Sequence, residues 1–194
     1  MRSFFCLAAL TTALLLPISV GAQEKRLQMT FLRVPDSLKD TEIHISKLLL
    51  ERLKLNSTLK AHKNNPEDLV VHTKFNPAPE HNLPTIVMLV DTRIARRDQD
   101  SKPISQVIGI TSVADLKLKE DQRGALLEWA NRLNSQVVPM RVFVSGDKIV
   151  IGRNLYNSLQ APLPENAVID SFTRLYRAWE TLLVDMRKRG FLDE

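Results

Sequence analysis

The feature that most constrains this chain is an apolar stripe near its C-terminus. Val168, Phe172, Leu175, Trp179, Leu182 and Met186 recur at alternating steps of four and three, with Ile169, Tyr176 and Leu183 one position to the side. That spacing returns side chains to one face of a helix, and the extra column widens the stripe to the width a core-facing helix needs. A helix over 164–189 is expected, with Asp170, Thr173, Arg174, Arg177 and Arg187 toward water. Pro164 suits a first helical position, Glu165 matches the positive end of the helix dipole, and Arg187, Lys188 and Arg189 match its negative end before Gly190. Each large apolar side chain fully buried stabilises by roughly 1.5–3 kcal/mol, against about 1 kcal/mol or less for a surface ion pair. Burial, not charge, should fix this helix.

A hairpin over 140–154 precedes it. Met140, Val142 and Val144 alternate with Arg141 and Phe143, Ser145-Gly146-Asp147-Lys148 supplies turn chemistry, and Ile149, Val150 and Ile151 return as β-branched residues. Further upstream the period is again two: Leu69, Val71, Thr73 and Phe75 oppose Val70, His72 and Lys74, before Pro77, Pro79 and Pro84 mark a loop. The strand over 85–94 is apolar on both faces through 86–90, as a central strand is, and turns polar at Asp91, Arg93, Arg96 and Arg97. A strand over 105–113 places Ile108 and Ile110 on one face.

Helical spacing appears twice more. Leu38, Ile45, Leu48, Leu49 and Leu53 form a face after Pro35-Asp36, with Arg52, Lys54 and Lys60 toward the end. Over 119–133, Ala125, Leu126, Trp129, Ala130 and Leu133 share a side despite the helix-weakening Gly124. Setting aside a short strand suggested by Leu27, Met29 and Phe31, the expected fold class is α+β. It has an antiparallel five-stranded sheet with helices, in the order α-β-β-β-α-β-β-α.

The chain opens with Arg2, an apolar run from Phe4 to Leu16, Pro17 and the small-residue ending Val20-Gly21-Ala22. This is the pattern of a secretory signal peptide over 1–22, cut after Ala22, because the run is too short for a stable membrane span. The expected product is a single domain over 23–194, periplasmic or secreted, with no stable membrane anchor. Its only cysteine, Cys6, would leave with the leader, so no disulfide is expected in the mature chain. The net charge of +5 is mild and scattered, which argues against a nucleic-acid partner.

Motifs for chemistry are lacking. His44, His62, His72 and His81 form no paired spacing for a metal, and no cysteine completes a set, so neither metal nor cofactor is expected. His72 reads as a solvated strand histidine, and Ser145 as a turn residue rather than a nucleophile at a strand-to-helix elbow. Gly109 and Gly124 read as a close approach and a packing contact. Asp115, Glu120 and Asp121 read as acids at the entry to the second helix, complementing its dipole.

The same order of elements, with Leu126-Leu127-Glu128-Trp129-Ala130-Asn131-Arg132-Leu133 leading into Met140-Arg141-Val142-Phe143-Val144-Ser145-Gly146-Asp147-Lys148-Ile149-Val150, resembles the YbjN family of bacterial proteins. That family is similar in fold to type III secretion chaperones. The resemblance spans roughly 45–186 and rests on an asparagine in the second helix, a Gly-Asp hairpin turn and an amphipathic last helix. It implies one antiparallel sheet with helices and a role in binding proteins, not catalysis. The expected function is therefore an exported, non-enzymatic interaction module that binds a polypeptide or a second copy of itself. The alternative is a small hydrolase or small-ligand protein with a loop-built site. Counting apolar faces gives the expected partner surface: an uncovered sheet face and the hairpin edge near Phe143 and Val150, with the basic group Arg93, Arg96 and Arg97 as a possible contact for an acidic partner or lipid.

Overall fold

The computed structural model describes residues 29–76, 85–136 and 140–192. The expected leader, 1–22, lies outside them, as does His81. The described elements are α1 (Leu38–Leu53), β1 (Ser57–His62), β2 (Asn65–Phe75), β3 (Ile86–Arg97), β4 (Pro103–Asp115), α2 (Arg123–Gln136), β5 (Arg141–Ser145), β6 (Lys148–Ser158) and α3 (Glu165–Lys188). A 3-10 turn, Glu120–Gln122, leads into α2. The six described strands form one antiparallel sheet ordered β1-β2-β3-β4-β6-β5. After β4 the chain passes through α2 to the outer edge, and the β5–β6 hairpin turns back to lay β6 beside β4, with Gly146 at φ 57° in the turn.

Strand alternation sorts the sheet into two unlike faces. Val71, Thr73 and Phe75 of β2, Ile86, Met88, Val90 and Thr92 of β3, Ile108, Ile110 and Ser112 of β4, and Ile149, Ile151 and Leu155 of β6 are buried. α1 lies over β1–β3, α3 over β4 and β6, and α2 against β5, so the core sits between this face and the helices. The stripe on α3 is buried throughout, and Trp179 is sealed completely. Its indole N–H still finds a partner, the Ser112 Oγ at 2.8 Å, and that hydroxyl donates to the Ile151 carbonyl at 3.1 Å.

The α+β class stands, with six described strands in place of five. The extra one is β1, where the first helix was expected to continue toward Lys60. The helix stops at Leu53 because Lys54 turns left-handed at φ 57° and its N–H closes the last turn onto the Leu50 carbonyl. β1 is an edge strand paired only to β2 and mostly exposed, so it carries no apolar alternation to read. The suggested strand through Met29 and Phe31 reduces, among the described residues, to one bridge between Phe31 and Pro164, and the buried side chain there is Leu32. Ala125 is exposed, and nothing packs where a Gly124 side chain would be, so that glycine is no packing contact.

Residues 30–33 instead run over the helix-covered end of the sheet. Buried Asn157 donates to the Arg33 carbonyl at 3.1 Å and accepts from Leu163 N–H at 2.9 Å. Buried Gln106 donates to the same Arg33 carbonyl at 3.1 Å and accepts from the Thr41 hydroxyl at 3.0 Å. Leu32 N–H donates to the Leu163 carbonyl, and Glu165 N–H to that of Thr30. These bonds satisfy backbone groups that have no ladder partner.

Candidate functional site

The face of the sheet away from the helices is built by the same register that builds the core. Reading across strands, Lys74 pairs Val87, Val87 pairs Val113, Val113 pairs Val150, and Val150 pairs Phe143. Directly opposed residues share a face, so this is a continuous apolar row over β3, β4, β6 and β5. The neighbouring row reads Thr58, His72, Leu89, Thr111, Gly152 and Arg141. Phe143 is 53% exposed, and its ring lies over Gly152, where an added Cβ would stand 4.0 Å from it. The valines and Leu89 are half-buried.

The expected contact residues divide between the two ends of this face. Phe143 and Val150 are direct cross-strand neighbours. Arg93 faces the same side, in a row with Val107 and the 70% exposed Tyr156. It lies six positions along β3 from Val87, a distance of about 20 Å at the usual strand rise. Arg96 and Arg97 follow past a register irregularity, and Arg97 donates to the Ser101 carbonyl at 2.7 Å. The structure therefore does not bring the basic group to the Phe143 patch. Between the two ends lie Asp91, Gly109 and Asn154, and the Asp91 carboxyl is raised from its ordinary value, chiefly by burial.

The hairpin edge itself is occupied. Asn134 of α2 donates to the Val142 carbonyl at 2.8 Å and accepts from Val142 N–H at 2.6 Å. The outward-pointing backbone groups of β5 at Val142 are thus used, so a contact near Phe143 has the face available and not this part of the edge.

A second feature is a polar cleft of about 760 Å³ between residues 30–36, α1 and the start of α3. Glu165 is its centre: one carboxylate oxygen meets His44 Nε2 at 2.7 Å and the other accepts from the Thr30 hydroxyl. Burial acts to raise the Glu165 carboxyl, but the bonds from Thr30 and His44 hold it below the ordinary value. Asp36 and Asp40 stand on the rim. The Thr30 hydroxyl donates to the Glu165 carboxylate and not to the imidazole, so Thr30 and His44 do not form a hydroxyl-to-imidazole pair. The trio is suited to holding a polar ligand or the chain itself.

The other singled-out residues are placed individually. His72 lies half-buried on the open face, its pKa lowered by burial and then by Lys60. Asp115 ends β4 and meets Lys148 across the strands at 3.5 Å, so it is not part of the helix entry. Glu120 and Asp121 do stand there, in the 3-10 turn, with Glu120 4.0 Å from Arg123. Among the described residues, no group of three or more His, Cys, Asp or Glu is arranged to hold a metal, and no helix is long and apolar enough to cross a membrane.

Sequence reasoning missed the roles of Glu42, Gln106, Asn157 and Glu165. Thr41 and Glu42 occupy the slots that complete the buried face of α1 with Ile45, Leu48 and Leu49, and that spacing was the available signal for a buried acid. Gln106 and Asn157 carried a weaker one, polar residues in columns that are otherwise core. Comparison with protein-family models and with curated proteins found no match.

Proposed function

We propose that this chain is an exported, non-enzymatic interaction module, YbjN-like and secretion-chaperone-like, that binds a polypeptide through the open face of its sheet. The observation that supports this reading is the unbroken row Val87–Val113–Val150–Phe143 on the face opposite the helices. A broad apolar strip on a sheet face is a surface that a partner covers. A second copy of the chain is the simplest occupant, because a two-fold pairing would set the same apolar row against itself. The leader over 1–22 supports export, and intact mass of the exported protein should show a chain beginning at Gln23.

Light scattering on purified mature protein tests the surface. Wild type should be dimeric or hold a polypeptide partner, and Phe143→Lys with Val150→Lys should release monomers that circular dichroism shows to be folded. A wild type that stays monomeric at high concentration and retains no polypeptide would sink the proposal. The cleft around Glu165 and His44 favours the second reading, a small-ligand protein or small hydrolase with a loop-built site, and that outcome would promote it.

A further inference from the structure

On the helix-covered side of the sheet, α2, α3 and the β5–β6 hairpin border a groove of about 430 Å³. Its walls are apolar, formed by Leu133, Val142, Ile151 and Leu182, and three arginines also line it, Arg153, Arg174 and Arg177, of which Arg174 and Arg177 are exposed. Arg153 is the unusual one. It sits in the β6 column that otherwise points Ile149, Ile151 and Leu155 into the core, and its Nε is shut off from solvent with no hydrogen-bond partner. A charged group held so is costly, and an acceptor at the other two guanidinium nitrogens, which are not sealed, would offset part of that cost. Burial and the neighbouring Arg174 both weaken the protonated form of Arg153, while Asp170 supports it. Among the described residues Asp170 is the carboxylate that acts on this group, and it makes no ion pair with Arg153. The groove therefore joins a surplus of positive charge to an apolar trough.

We propose that this groove binds a long-chain fatty acid, its alkyl chain against Leu133, Val142, Ile151 and Leu182 and its carboxylate held by Arg153 with Arg174 and Arg177. Guanidinium forks match a carboxylate geometrically and hold it in partly dry surroundings. The volume falls within the range of small-molecule sites, roughly 300–1,000 Å³. An extended peptide is the poorer occupant, because Asn134 already takes the Val142 donor and acceptor that strand addition beside the groove would need.

The test is calorimetry on delipidated full-length mature protein with hexadecanoate, and with hexadecanol as the uncharged chain of equal length. Hexadecanoate should bind saturably at one site and hexadecanol at least tenfold more weakly. Arg174→Gln with Arg177→Gln, on the exposed side of α3, should weaken hexadecanoate at least tenfold while the circular dichroism spectrum is unchanged. Arg153→Met, which keeps much of the length of the side chain, should do the same, and Lys63→Gln, an exposed charge between β1 and β2 at the opposite edge of the sheet, should leave binding intact. Equal binding of the acid and the alcohol, no loss in the Arg174/Arg177 variant, or capture of acidic peptides but not of hexadecanoate would each overturn the proposal.

Discussion

Trp129 of α2 donates its indole N–H to the Asp185 carboxylate of α3 at 2.7 Å, and Arg189 bonds the same oxygen at 2.9 Å. This is a polar tie between the two helices, and the ring of Phe191, just past α3, closes on Trp129 edge-on at 5.8 Å. Burial acts to raise the Asp185 carboxyl, but the bonds from Arg189 and Trp129 hold it below its ordinary value of 3.8. A depressed folded-state pKa stabilises above the unfolded value and loses that contribution as pH falls through the folded one. Asp185→Asn should therefore be less sensitive to acid below about pH 4 than wild type. Trp129→Phe should lower stability by about 1–2 kcal/mol in urea titrations, mostly through the lost hydrogen bond. If Trp129→Phe and Asp185→Asn prove additive in a double-mutant cycle, the tie contributes nothing.

Glu42 has the opposite sign. It is fully buried on α1, bonded to the Thr92 hydroxyl through one oxygen while the other has no partner. Burial pushes its carboxyl from 4.5 up to about 7, outweighing the hydrogen bond from Thr92. The folded chain then keeps a proton that the unfolded chain releases, so stability is fully present below the unfolded value and declines as pH rises through the window between the two. At about 1.4 kcal/mol per pH unit the loss amounts to roughly 3 kcal/mol once pH passes the folded value. Glu42→Gln should remove most of this slope and be the more stable protein at pH 8. Identical urea midpoints against pH for the two proteins would show that Glu42 is not buried in the folded chain.

Trp179 fills the centre of the core, and its ring is completely sealed. Trp179→Ala should cost on the order of 3–5 kcal/mol, whereas Arg177→Ala, on the exposed side of the same helix, should stay within about 0.5 kcal/mol of wild type. Comparable denaturation midpoints for the two variants would mean that α3 is rotated about its axis and does not bury Trp179.

Asn157 reaches both the Arg33 carbonyl and Leu163 N–H, so one side chain fastens residues 32–33 and the approach to α3. Asn157→Ala leaves buried backbone groups unpaired and should cost about 1–3 kcal/mol. Hydrogen exchange should rise at Leu32 and Leu163, whose own N–H groups are otherwise protected there, and not at β3. Uniformly raised exchange throughout the sheet would show a general loss of stability instead of a local release.

Where burial wrote a periodic pattern, the sequence was readable: the stripe on α3, the alternation of β2 and β5, and the doubly apolar β3 all specify the faces they occupy. β1 was not readable, because Leu59 is paired to Val71 yet exposed at a sheet edge, and its strand conformation comes from β2 and not from its own residues. The candidate surface was half legible. Alternation put Phe143 and Arg93 on strands, but only register tells that Phe143 and Val150 are adjacent while Arg93 lies at the far end. Long-range polar contacts such as Thr30 with Glu165 leave no periodic trace, since they join residues 135 positions apart.

That separation bears on the order in which the molecule can assemble. β1 to β4 meet as successive antiparallel neighbours and can zip together as soon as each is made. Thr30, by contrast, waits for Glu165, and closing so long a span costs more entropy than closing a hairpin. The clasp is therefore the last latch to shut. Until α3 has left the ribosome the sheet has no lid over β4 and β6, and the earliest described residues remain a loose thread, so the core can be sealed only near the end of synthesis.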